Sequence, residues 1–260
     1  MARLSAHAEG PEDGPVRAST AAAEVDLKDL RRLQLISAAS EVICRNGVDG
    51  ARLKDIAEQA GVSLGLVQHY FRRREELISE TIGSMLELTL ATWRSVSERE
   101  PDPVRRLFAL LRFQVAGWAP FTKRWSFWIE FWSAANRDNT LQTYAHDVYE
   151  RWEEPFRTAI DAGVRTGDFT TSLSAGRVSL ILMSLADGAA IHVLMARDSL
   201  DEEGMFDLLI DMACRVLDID TEVRDRALAD LPRIISPRYP SEPEPADSID
   251  WAPLIESRLR

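Results

Sequence analysis

Arg52, Lys54, Gln68, Arg72, Arg73 and Arg74 carry the most distinctive chemistry in this chain, and it is that of nucleic-acid contact rather than bond-making. Guanidinium and ammonium groups neutralise phosphates and release counterions. A glutamine amide pairs bidentately with adenine in the major groove, so Gln68 is a candidate base reader. From Lys28 to Glu76 nine Lys/Arg stand against seven Asp/Glu, a surplus of two positive charges, whereas the whole chain carries −11. An acidic body does not attract DNA by itself, so phosphate contact falls to the local basic edge formed by these five cations.

The elements that must position them are short. Leu53, Ile56, Ala57 and Ala60 recur at helical intervals, and Gly61 stands where the chain must leave that helix in a left-handed conformation. Val62 fills the corner, and Ser63 is placed to cap a second helix. In that helix Val67 and Phe71 point to the core, leaving Leu64, Gly65, Gln68 and His69 facing outward. This is the pattern of a helix-turn-helix, although an ordinary helical hairpin shares the bare spacing.

Upstream, Leu30, Leu33, Ala38, Ala39, Val42 and Ile43 form an amphipathic helix ending at Asn46-Gly47. Downstream, Tyr70-Phe-Arg-Arg-Arg-Glu-Glu-Leu-Ile78 leads into a long helix. Together residues 28–82 resemble the DNA-binding domain of the tetracycline-repressor (TetR) family of bacterial regulators. The resemblance implies that Tyr70 contacts phosphate and that Ser63, Leu64, Gly65 and His69 lie on the DNA surface with Gln68. Arg52, Gln68 and Arg74 depart from the family's usual threonine, aromatic and lysine, so no operator sequence carries over.

The remainder reads as helical throughout, near 76–99, 102–118, 121–136, 139–166, 174–197 and 202–218, with Pro155 expected to kink or split the fourth. Alternating β-branched runs and hairpin turns are missing. The expected fold is all-α: a three-helix DNA-binding domain over 24–82, then a helical effector-binding and dimerisation domain over 83–218. Residues 1–23 read as a disordered lead without a signal peptide's hydrophobic stretch, and 219–260 as a Pro-rich tail. In that tail Trp251, Leu254, Ile255 and Leu259 suggest a docking helix over 251–259. No run reaches the roughly 20 apolar residues that cross a membrane. Cys44 and Cys214 fit small buried side chains in a reduced cytoplasm.

Phe121, Trp125, Trp128 and Trp132 fall at intervals of 4, 3 and 4, one stripe on a helix, and Trp118 and Trp152 join from nearby. A bulky stripe is core packing or the wall of an effector cavity; beside Glu130 or Asp187 it suits a cationic amine. Residues 125–136 and 186–188 resemble the branch of the family that includes the choline-responsive BetI repressor. The helices over 178–195 and 205–217 are apolar around most of their circumference and must be buried from more than one side. The resemblance places Leu182, Leu185, Ala186, Ala189, Phe206, Leu209 and Ala213 in a four-helix dimer interface. Burial inside one chain is the alternative.

No catalytic residues, metal site or cofactor emerge. His146 and Glu150 stand four apart, but no Glu-x-x-His, Cys-x-x-Cys, phosphate loop or nucleophile elbow accompanies them. The reading is a cytoplasmic homodimeric repressor binding a palindromic double-stranded DNA operator and released by an unidentified small molecule. Control without a small molecule, either constitutive or through a protein partner, is the alternative. A helical metalloenzyme is a remote one.

Overall fold

The computed structural model describes residues 14–196 and 200–235, with side chains over 27–196 and 200–231. Ten α-helices follow in order: α1 (Gly14–Gly50), α2 (Leu53–Gln59), α3 (Leu64–Tyr70), α4 (Arg74–Arg99), α5 (Pro103–Val115), α6 (Phe121–Ala135), α7 (Asn139–Thr166), α8 (Ala175–Leu194), α9 (Glu202–Leu217) and α10 (Thr221–Ile235). No strand occurs among the described residues. Most starts are capped as the sequence dictates: Asp102, Asp138, Ser174 and Asp201 each accept from a first-turn backbone N–H. Gly167 and Asp218 end α7 and α9 in the left-handed conformation.

α1 breaks at Gly47 (φ 72°, ψ 167°), within the expected Asn46-Gly47 end, and runs on in a further turn to Gly50. Its buried face, Leu33, Leu35, Ile36, Ala39, Val42 and Ile43, packs on α2, α4 and α6. α4 belongs to both halves of the molecule, packing on α1 near its start and on α5 and α7 beyond. Buried Thr81, Thr89 and Thr92 on it return their hydroxyls to carbonyls four residues back, so its core face holds no unpaired threonine.

Four expectations need correcting. α1 is already helical from Gly14, inside the stretch read as a lead; residues 1–13 lie outside the described residues. Pro155 does not split α7, which continues through it. The chain does not become irregular after Asp218: α10 lays buried Ala227 and Leu231 against α5, and Arg105 ties to Asp230 at 3.1 Å. The proposed helix over 251–259 falls outside the described residues. Finally, α8 is by length and composition apolar enough to span a bilayer, although its inward face packs on α7 and α9.

Candidate nucleic-acid interface and aromatic chamber

The turn between α2 and α3 forms as the residue types require. Gly61 adopts φ 66°, the backbone N–H of Val62 donates to Ala57, and Ser63 accepts from the N–H of Leu66 at 3.2 Å. Val67 and Phe71 are fully buried, which holds α3 by one face. Leu64, Gly65, Gln68 and His69 are exposed on the other, and Tyr70 is half-buried with its ring edge-on to His69. Arg52, Lys54, Arg72 and Arg73 are exposed beside this face. A neutral hydrogen-bonding centre with cationic flanks is the arrangement a helix needs to enter a major groove against phosphates.

Arg74 behaves differently from its neighbours. Its guanidinium donates to the carbonyl oxygens of Ala51 (2.6 Å) and Val48, bracing the α1–α2 junction from the start of α4. Arg74 is thereby a structural tie, not the free phosphate contact its position in the arginine run suggested. Arg32, which that reading passed over, does similar work: it pairs with Glu80, reaches the Tyr70 carbonyl and lies 4.6 Å over the Phe71 ring. Both fix the angle at which α3 is presented.

The second cluster lies in the body. Trp118, Trp125, Trp128 and Trp152 are almost fully buried, and with Trp93, Thr89, Thr92 and Arg124 they enclose a cavity of about 20 Å³. Trp128 meets Trp152 at 4.6 Å between ring centroids, and Trp152 in turn meets Trp132 at 6.3 Å. Tyr149, which the stripe on α6 alone did not reveal, stacks on Trp132 (5.9 Å, 15°) and donates its hydroxyl to Asp187 at 3.1 Å. The signal for it was its place one turn before Trp152 on α7. Burial pushes the Tyr149 hydroxyl up, so it stays a donor. Burial likewise raises the Asp187 carboxyl from 3.8 to about 6, partly offset by that hydrogen bond.

Three buried polar atoms of this aromatic cluster have no partner: Trp152 Nε1, on a ring that lines the cavity, and Trp132 Nε1 and Asp187 Oδ1 on the layer packed behind it. Such atoms cost about 1–3 kcal/mol each, and they mark a place where a ligand has hydrogen bonds to offer. Two indole donors and one acceptor, walled by aromatic faces, suit a cation that also carries an accepting oxygen. Glu130, the other acid considered, is elsewhere: a Cβ on Gly47 would lie 2.9 Å from its Oε2, so it faces the end of α1. Arg124 closes the chamber floor, giving its guanidinium to the carbonyls of Ala119, Phe113, Gln114 and Val115 at the end of α5.

The seven residues assigned to a dimer interface face inward within this chain. Leu182, Ala186, Ala189, Phe206, Leu209 and Ala213 are buried and Leu185 half-buried, because they form the sides of α8 and α9 that meet α5, α7 and each other. The large apolar residues left exposed here are Leu180 and Ile191 on α8, Met195 just past its end, and Leu208 on α9. His146, Asp147 and Glu150 approach one another on α7 but are exposed, as a solvated helix face allows.

Residues 35–81 match the profile described as bacterial regulatory proteins of the tetR family, and residues 103–218 match the BetI-type transcriptional repressor C-terminal profile. The chain belongs to the TetR family. It is 35% identical over 121 residues to the HTH-type transcriptional regulator BetI of Vibrio vulnificus, covering 46% of this chain and 61% of that protein. With BetI of Burkholderia cenocepacia identity is 33% over 129 residues, 47% of this chain and 64% of the other. The chain thus spans about three-fifths of the length of these curated relatives. Among solved structures, a transcriptional regulator from Saccharomonospora viridis in complex with choline superposes with a TM-score of 0.63 at 24% identity, over 71% of this chain and 96% of that one. This TetR-family fold is therefore shared over both the helix-turn-helix and the body.

Proposed function

We propose that this TetR-family chain is a DNA-binding transcriptional repressor that acts as a homodimer on a palindromic operator and is released by a small cationic effector. The observation that carries the DNA half is the exposed face of α3, with Gln68 at its centre and Arg52, Lys54, Arg72 and Arg73 around it. Tyr70, Ser63, Leu64, Gly65 and His69 complete the contact surface. Two such faces in one dimer read half-sites about 34–36 Å apart. The dimer surface is assigned to the outward stripe Leu180 and Ile191 of α8, continued by Met195 at its cap, with Leu208 of α9, since a second copy would cover apolar area that one chain leaves in water.

The effector half rests on the chamber of Trp118, Trp125, Trp128, Trp132, Trp152 and Asp187, completed by Tyr149. The S. viridis regulator, alike in fold, was solved with choline, a molecule of the same cationic class. A cavity of about 20 Å³ admits roughly one water, so a cation of that size must push the rings apart. α6 carries Trp125, Trp128 and Trp132 and also holds α1 of the reader, so displacement at the rings moves the reader. The closed cavity also favours a second reading, control without any small molecule.

Anisotropy titration of the full-length protein with DNA from its upstream region tests the first half. Saturable binding with a large preference over an unrelated duplex is expected; equal, steeply salt-dependent binding to both would refute a local operator. Adding a quaternary ammonium compound to the complex then separates the two readings: release supports the effector, and no response supports control without it.

A further inference from the structure

A larger opening lies outside the chamber, where the reader meets the body. α1 contributes Ser40, Glu41, Cys44 and Arg45, α4 contributes Met85, and Trp118 with Thr122, Lys123 and Ser126 comes from the start of α6 and the turn before it. The cavity measures about 280 Å³, close to the lower end of small-molecule sites at roughly 300 Å³. Its floor is apolar, made by Met85, the Trp118 ring and the Cys44 thiol. Its lining holds Arg45, which donates to Gln59 at 2.7 Å, and Lys123 and Glu41, with Glu130 close enough to act on Cys44 as well.

We propose that this seam is a second small-molecule site, selective for an apolar-bodied monoanion of arenecarboxylate size. The Lys123 ammonium, taken over from Glu41, is the carboxylate's partner, and the floor selects the ring or branched body. Binding is non-covalent: burial and the nearby Glu41 push the Cys44 thiol up to about 12, so it is a soft wall and not a nucleophile. Lys123 Nζ now holds Glu41 Oε1 at 2.6 Å, a tie between body and reader. A bound carboxylate competes with Glu41 for that ammonium and wedges α1 from α6. Trp118 lines both this seam and the inner cavity, so it is the partition between the two sites. The regulatory consequence rests on the effector-controlled reading above; the binding itself does not.

Calorimetry on the full-length protein without DNA tests the site, with benzoate and phenylacetate as probes and their amides as neutral controls. One saturable site per chain is expected, with the amides bound at least about tenfold more weakly and Lys123→Gln costing about tenfold. Ser126→Phe fills the cavity and is expected to abolish binding, as is Thr122→Trp at an exposed position should the first variant unfold. Asp187→Asn leaves benzoate binding unchanged while abolishing quaternary ammonium binding, so failure of the inner site is read separately. No saturation by either acid up to about 5 mM, or equal binding of the amides, overturns the proposal, as does full binding by a folded cavity-filling variant.

Discussion

Gln68 and Arg72 are both exposed at the reader surface, yet their removal is expected to read out differently. Gln68→Ala should cost about 1–3 kcal/mol at one operator position and leave binding to unrelated DNA unchanged. Arg72→Ala should weaken all duplexes alike and reduce the slope of log affinity against log salt by about 1. Anisotropy at several salt concentrations distinguishes them. Asp187 makes a pH prediction. Its folded-state value is raised from 3.8 to about 6, so its contribution to stability is fully present below pH 3.8 and is lost as pH rises through about 6. Asp187→Asn, which removes the buried charge, should therefore raise stability by about 3 kcal/mol at pH 8 and by less than about 1 kcal/mol at pH 4, measured by denaturant titration. Affinity for a cation should in turn fall in the wild type as pH drops below about 6, towards the loss expected of the variant at any pH. The acid and the tryptophans were legible from type and spacing. Arg74 was misread because its charge is visible in sequence, whereas its carbonyl partners 26 and 23 residues away are not.

At the scale of elements, Gly163 on α7 shows how tightly the body is closed. A Cβ there would lie 2.2 Å from the Phe169 ring, and the Phe169 backbone N–H is bonded to the Gly163 carbonyl at 3.1 Å, so the ring has no retreat. Alanine gains up to about 1 kcal/mol in helix propensity, but overpacking costs about 1–3 kcal/mol. Gly163→Ala is therefore expected to lower the denaturant midpoint, and Phe169→Leu in the same chain to recover part of it. For the outward face of α8, Leu180→Glu with Ile191→Glu should convert a dimer to monomer in sedimentation, with helical circular dichroism retained. The helices of the body were legible because Pro, Gly and capping residues punctuate them to within a few residues. Which side of α8 faces its own chain was not, because a helix apolar all round has no phase to read. α10 was missed for a related reason: Val223, Ala227 and Leu231 do recur at four-residue intervals, but the prolines that follow from Pro232 obscured the pattern.

For the molecule as a whole, α6 is the element both sites share. One face carries Trp125 and Trp128; another side is tied to α1 by Lys123–Glu41, and just past the end of α6 Arg137 holds Asp49 in the last turn of α1 at 2.7 Å. Loosening the first tie with Glu41→Gln should leave effector and DNA affinities nearly intact when measured singly. It should shrink the factor by which each weakens the other, which is ordinarily about 5–150. Reciprocal titrations measure it, and an unchanged factor would place the coupling elsewhere. The crowding of indoles around this helix has a photophysical consequence. With Trp128 and Trp152 4.6 Å apart and Trp132 and Trp93 about 6 Å from Trp152, excitation migrates among the rings and emission comes from the one of lowest energy. The protein thus carries its own optical gauge: a molecule that parts these rings changes both the near-ultraviolet dichroism and the emission anisotropy, so occupancy is readable without any label.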